Sequence, residues 1–177
     1  RVWLGNVTGF DRTYRGILTN GVSGDLRITS GGNTLVLDTT ANILGGVGAT
    51  NKLVFGFDHQ NATGLTGNNI VQASTGTVSV RVNNASTLGA VTVNRGVTLN
   101  INGTITTPIG SGVVTALGGT ISTDASSSAQ FANTNFRLYG GSTLLLDNSG
   151  VTTSNANRRL LLGTSLNLTS STLRLIG

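Results

Sequence analysis

The sequence has no cysteine and no methionine, and all six of its acidic residues are aspartate. Without thiols there is no disulfide framework, zinc ribbon, iron–sulfur ligation or thiol catalysis. Proline occurs once, aromatic residues make up 5% and charged residues 10%. That charged share is far below the roughly 25% of ordinary soluble domains. No apolar run approaches the ~18 residues of a membrane helix, so no membrane span is expected. No initiator Met and no apolar leader precede Arg1, and the chain reads as a mature or trimmed segment of a secreted product. Low charge together with frequent β-branched residues also argues against disorder.

What the chain does contain is glycine, 26 residues in 177, with Ser, Thr and Asn supplying roughly a third of the total. This composition describes a β-rich, extracellular protein of one domain, residues 1–177, or one slice of a longer repetitive array. Eleven basic residues against six acidic give a net charge of +5. The excess comes from missing acids, because the bases are scattered and only Arg158 and Arg159 adjoin. Nucleic-acid surfaces cluster their bases and interleave aromatics, so no nucleic-acid partner is expected. Attraction to an anionic surface polysaccharide fits better.

Period-two alternation dominates the pattern. Leu26 and Ile28, then Val78, Val80 and Val82, then Val97, Leu99 and Ile101, each flank polar residues. Alternation of this kind sends one row of side chains into a core and the next toward water. Leu35–Leu37, Leu53–Phe55, Leu144–Leu146 and Leu160–Leu162 are continuous apolar runs, expected where both faces are covered. Asn20-Gly21, Gly31-Gly32-Asn33, Gly45-Gly46, Asn102-Gly103, Gly118-Gly119 and Gly140-Gly141 mark sharp corners. Helix is scarce: Asp124–Tyr139 offers one short turn or helix, and Thr152–Arg159 a weaker one.

Short, closely spaced strands leave a sandwich, a barrel or a solenoid. The choice turns on a phrase that recurs in one direction. Ala90–Gly103 and Ser165–Gly177 each hold two short strands meeting at a small polar corner and ending on glycine. That pattern describes a polygonal coil, so the expected fold is all-β, a right-handed parallel β-helix (β-solenoid) with little or no helix. At roughly 20 to 25 residues per coil the chain holds about seven or eight coils, stacked some ~35–40 Å tall.

Leu88–Thr104 and Gly140–Gly150, followed by Asn157–Leu160 and Leu166–Gly177, resemble the autotransporter-associated β-strand repeats of bacterial surface proteins. The resemblance covers about a third of the chain. It implies a secreted or surface-exposed passenger region with a structural or adhesive role, and it supplies no catalytic residues.

Chemistry is thin. Asp11, Asp25, Asp38, Asp58, Asp124 and Asp147 are dispersed, and short carboxylates of this kind bond turn backbone. His59 is the single histidine, and no Gly-x-Ser-x-Gly elbow supplies a nucleophile for it. Gly45–Thr50 places Thr50 where a calcium nonapeptide needs aspartate, and Lys52 alone does not make a crosslinking site. No catalysis, metal or cofactor is therefore expected. An ice-binding reading needs a regular Thr ladder. Thr75/Thr77 and Thr104/Thr106 do not recur at a constant period, and β-propensity accounts for them. Asn6, Asn61, Asn84, Asn102 and Asn167 head glycosylation sequons, as chance alone supplies in so Asn/Thr-rich a chain.

The ends carry the sharper signal. Trp3, Phe10 and Tyr14 crowd three of the eight aromatics into residues 1–16, an N-terminal cap or assembly segment. The other end is an apolar strand, with Leu173, Leu175 and Ile176 facing no polar cap. The expected function is a non-catalytic structural unit of a secreted or cell-surface bacterial solenoid. Its partner is itself, stacked head to tail into a filament, or the adjacent repeats of an adhesin stalk. The alternative is a carbohydrate-binding or polysaccharide-degrading β-helix such as a tailspike fragment, with aspartates converging beside Phe136 or Tyr139.

Overall fold

The computed structural model describes residues 2–4 (backbone only), 10–18, 24–38, 41–45, 47–56, 75–103, 105, 107–124, 135–147, 149 and 165–177. Fourteen strands follow one another: β1 (Val2–Leu4), β2 (Arg12–Tyr14), β3 (Leu26–Ile28), β4 (Thr34–Leu37), β5 (Lys52–Phe55), β6 (Gly76–Val80) and β7 (Ala90–Asn94). The second half continues with β8 (Val97–Ile101), β9 (Val114–Leu117), β10 (Thr120–Thr123), β11 (Asn135–Tyr139), β12 (Thr143–Asp147), β13 (Ser165–Leu168) and β14 (Thr172–Ile176).

Odd-numbered strands form one seven-stranded sheet and even-numbered strands a second, each in simple succession along the chain. Every strand pairing is parallel. The chain thus alternates between sheets and advances by one strand position per circuit, which is a β-solenoid. No helix occurs among the described residues. Asn135–Tyr139, inside the stretch read as a short turn or helix, is instead strand β11. Its Phe136 and Leu138 alternate with polar partners, and burial of that alternating row decides the conformation. Thr152–Arg159 and Leu160–Leu162 lie outside the described residues.

The alternation explains the core. Leu26, Leu53, Val91, Val114 and Phe136 share one register column of the odd sheet, and all are fully buried. Leu35, Val78, Leu99, Ile121 and Leu144 form the facing column of the even sheet, equally removed from water. Among the continuous apolar runs, Val54 is covered on its outer face as well, whereas Val36 and Leu145 are half-buried.

A third side, without assigned strands, closes the core. Ile43, Leu44, Val47 and Ile109 are buried there, and its backbone bonds coil to coil. Asn42 N–H donates to the Asn83 carbonyl at 2.7 Å, and Asn84 N–H to the Thr107 carbonyl at 2.7 Å. Buried backbone of this kind is tolerated because its polar groups are paired. Two glycines are dictated by the backbone, one by close approach and one by its dihedral angle. A Cβ on Gly112 would collide with the Gly89 carbonyl oxygen, so neighbouring coils touch there backbone to backbone. At the β7–β8 turn Gly96 takes φ 84°, a region that residues with a Cβ seldom enter.

Coil length is less regular than expected. Cross-coil partners lie 21 residues apart at Ser79 and Asn100 and 22 apart at Asn100 and Ser122, yet 45 apart at Ser30 and Thr75. The longer circuit carries more chain between successive described strands, which costs little because closure entropy grows slowly with length.

Candidate functional site

Parallel stacking brings to each end of the solenoid two strands that finish their sheets: β13 and β14 at one end, β1 and β2 at the other. At the β13–β14 end the core columns continue without cover. Leu166 pairs with buried Phe136, and Leu168 with buried Leu138. In the even sheet Leu173 pairs with buried Leu144, and Leu175 with half-buried Leu146. Yet Leu166, Leu168, Leu173 and Leu175 are 37%, 39%, 46% and 65% exposed. These four residues have the alternation of a core without its burial. Leu173 and Leu175 were legible as an apolar strand. Leu166 and Leu168 are part of the same surface, and their own alternation was the available signal. Ile176 falls on the outward row, in register with Asp147, so it stands apart from those leucines.

The β1–β2 end is built differently. Val2 and Leu4 take the register positions of core residues Leu26 and Ile28, while Trp3 aligns with Arg27 between them. The Trp3 side chain lies outside the described residues. Tyr14 aligns with Leu37 and packs against the core as a partly buried ring. Phe10 precedes β2 and is 67% exposed, with the Arg12 guanidinium 5.5 Å from its ring centroid. The three N-terminal aromatics therefore occupy three different situations. Arg12 itself pairs with Leu35, which puts a cation at a core register.

The outward rows of the even sheet hold an order hidden in the linear sequence. Thr34, Thr77, Thr98, Thr120, Thr143 and Thr172 align in a single column across six successive strands. Strand spacing repeats their hydroxyls every ~4.8 Å. On the neighbouring row the Ser79 hydroxyl donates to Asn100 Oδ1 at 3.2 Å, and Asn100 Nδ2 donates to Ser122 Oγ at 3.0 Å. Of the pairs weighed from sequence, Thr77 belongs to the threonine column, Thr75 precedes β6, and Thr104 and Thr106 lie outside the described residues.

The described carboxylates are all engaged locally. Asp11 Oδ1 accepts the Thr34 amide at 2.8 Å, and Asp25 holds Arg27 at 3.1 Å and the Lys52 amide at 3.2 Å. Asp38 lies 3.8 Å from Arg81, and Asp124 accepts from Asn102 at 3.2 Å. Asp147 accepts the Ser149 hydroxyl at 2.6 Å and its amide at 2.9 Å, and these bonds hold its carboxyl below the ordinary aspartate range. A general acid needs the opposite shift. Phe136, expected beside a glycan groove, is instead fully buried in the core, because its strand alternates around it. Asp58 and His59 lie outside the described residues.

Architecture and ends together define a two-sheeted parallel β-helix with one uncovered apolar coil. No protein-family model, curated protein or solved structure matches the chain.

Proposed function

We infer that the chain is a structural segment of a secreted or cell-surface β-solenoid, a non-catalytic rod extended by stacking another coil on its β13–β14 end. The observation carrying this reading is the exposure of Leu166, Leu168, Leu173 and Leu175 at positions that are core elsewhere in the stack. Apolar residues repeated in register on two finishing strands suit β-augmentation by a further coil, whether from a second copy or from repeats like those of autotransporter passengers. Low charge and backbone paired coil to coil suit a stiff, protease-resistant stalk. Electron microscopy of the 177-residue chain at rising concentration tests this, beside a Trp3→Ala, Leu175→Asp double variant. Filaments that vanish in the variant support stacking. Monodisperse short rods in both remove self-assembly and leave a spacer.

A second reading rests on the threonine column. A straight row of hydroxyls at strand spacing suits adsorption to a periodic surface, and ice is the surface that needs no other chemistry from the protein. Inhibition of ice recrystallisation by the wild type, lost in Thr98→Tyr, supports it. Equal behaviour of the two proteins removes it.

A further inference from the structure

Charge is sorted between the two sheets. The strands of the odd sheet carry Arg27, Lys52 and Arg137 and no acidic residue. Asp11, Asp38, Asp124 and Asp147 instead adjoin or end strands of the even sheet. Asp25, which precedes β3, is held by Arg27 and the Lys52 amide. From β7 to β11 the outer face of the odd sheet therefore presents positive charge with no acid on its strands. These strands are interior to the stack, flanked by β5 and β13.

Two arginines border this face. Arg137 is exposed on β11, and strand alternation puts Tyr139 on the same side, about 7 Å further along. Leu117, in register with Tyr139 on β9, is 48% exposed beside it. Arg95 is exposed at the β7–β8 corner and reaches along the stack toward the same coil. A Cβ on Gly118 would meet Arg95 Cβ and Nε at 3.2 Å, so the arginine lies across the glycine that follows Leu117. Among the described residues no carboxylate pairs with Arg95 or Arg137, whereas Arg27 and Arg81 each have an aspartate in reach. Two unpaired guanidinia thus border an apolar strip made by Leu117 and Tyr139.

That combination has the chemistry of an acidic-sugar site. A guanidinium fork takes a carboxylate through two parallel hydrogen bonds. The body of a tyrosine ring is apolar and its hydroxyl is wet, which suits the mixed face of a sugar. A nucleic acid is held by more phosphate contacts than two arginines supply. A membrane surface calls for about four to eight clustered bases. We propose that the β7–β11 face of the odd sheet, through Arg95, Arg137 and Tyr139, binds a polysaccharide bearing uronate carboxylates. The site lies on the side of the rod and is independent of what continues either end.

Isothermal titration of the 177-residue chain with sodium alginate at low salt tests this, beside neutral dextran, single-stranded DNA and phosphatidylserine vesicles. Arg95→Gln with Arg137→Gln is compared with Arg12→Gln with Arg174→Gln, which removes the same charge from the even sheet. All four arginines are exposed, and circular dichroism with urea unfolding confirms that each variant is folded. The wild type is expected to bind alginate and not dextran, more weakly as salt is added. Each lost charged hydrogen-bonding partner costs about tenfold, so Arg95→Gln with Arg137→Gln should bind about 100-fold more weakly. The even-sheet pair of substitutions should leave alginate binding close to the wild type. Tyr139→Leu, which keeps the charge, should weaken binding about fivefold, and unchanged binding removes the ring from the site. Equal losses in the two double variants overturn the site and make net charge the cause. Tighter binding to DNA or vesicles, or equal binding to dextran, overturns the uronate partner. A wild type that does not bind alginate overturns the proposal outright.

Discussion

The side-chain oxygen of Asn84 accepts the Leu44 amide at 3.0 Å from 40 residues away, and the same side chain donates to the Pro108 carbonyl at 2.6 Å. A third bond runs from Asn84 Nδ2 to the Val82 carbonyl at 3.0 Å. One fully buried amide thus ties three successive coils together on the strandless side. Its burial also removes the Asn84 sequon from any surface chemistry.

Asn84→Leu keeps the branched heavy-atom skeleton and removes the bonds, leaving the Leu44 amide and the two carbonyls without that partner. At roughly 1–3 kcal/mol for a buried group left unsatisfied, the variant should lose about 3 kcal/mol. Urea unfolding checks it: the midpoint should fall with little change in slope. An unchanged midpoint would mean the third side tolerates unpaired groups.

Position along a column should matter more than residue type. Phe136→Ala opens a cavity at a fully buried position one coil in from the β13–β14 end and should cost about 3–5 kcal/mol. Leu166→Ala, the next position of the same column, should cost less than about 1 kcal/mol because its side chain already meets water. Parallel denaturation of the two variants measures the contrast.

Gly112→Ala tests the backbone contact between coils. The added methyl meets the Gly89 carbonyl oxygen, so the coils must separate locally. A loss of about 1–3 kcal/mol is expected, typical of overpacking. Gly48→Ala, whose added carbon meets nothing within 4 Å, serves as the control.

The Asp147 carboxyl is held low by the Ser149 hydroxyl first and the Ser149 amide second. A folded-state pKa below the unfolded value stabilises the native state above about pH 4. That contribution is lost as pH falls through the lowered folded pKa. Carboxyl carbon NMR should find Asp147 titrating below the ordinary aspartate value, and Ser149→Ala should raise its midpoint. An Asp147 midpoint insensitive to Ser149→Ala would reject this cause.

Much of this architecture is already written in the alternation of Leu26 and Ile28, of Val91 and Val93, and of Val97, Leu99 and Ile101. A period of two with one apolar face has few stable outcomes, and glycine corners between short strands narrow them to a solenoid. Composition alone also removed thiol chemistry and any long apolar helix. The sequence was misleading at Asn135–Tyr139, where absence of glycine suggested a turn or helix and burial of Phe136 and Leu138 made a strand.

What tertiary structure decided is register. Thr34, Thr77, Thr98, Thr120, Thr143 and Thr172 have no constant spacing, because circuits of different length separate them, yet the parallel ladders set them in one line. The same ladders put Arg12 in a core column, buried Asn84 and left Leu173 uncovered. Alternation in a strand depends only on neighbours in sequence and can be read there. Which strand lies beside which, and in what phase, depends on loops whose length barely affects the energy, so only hydrogen bonding and burial across coils settle it.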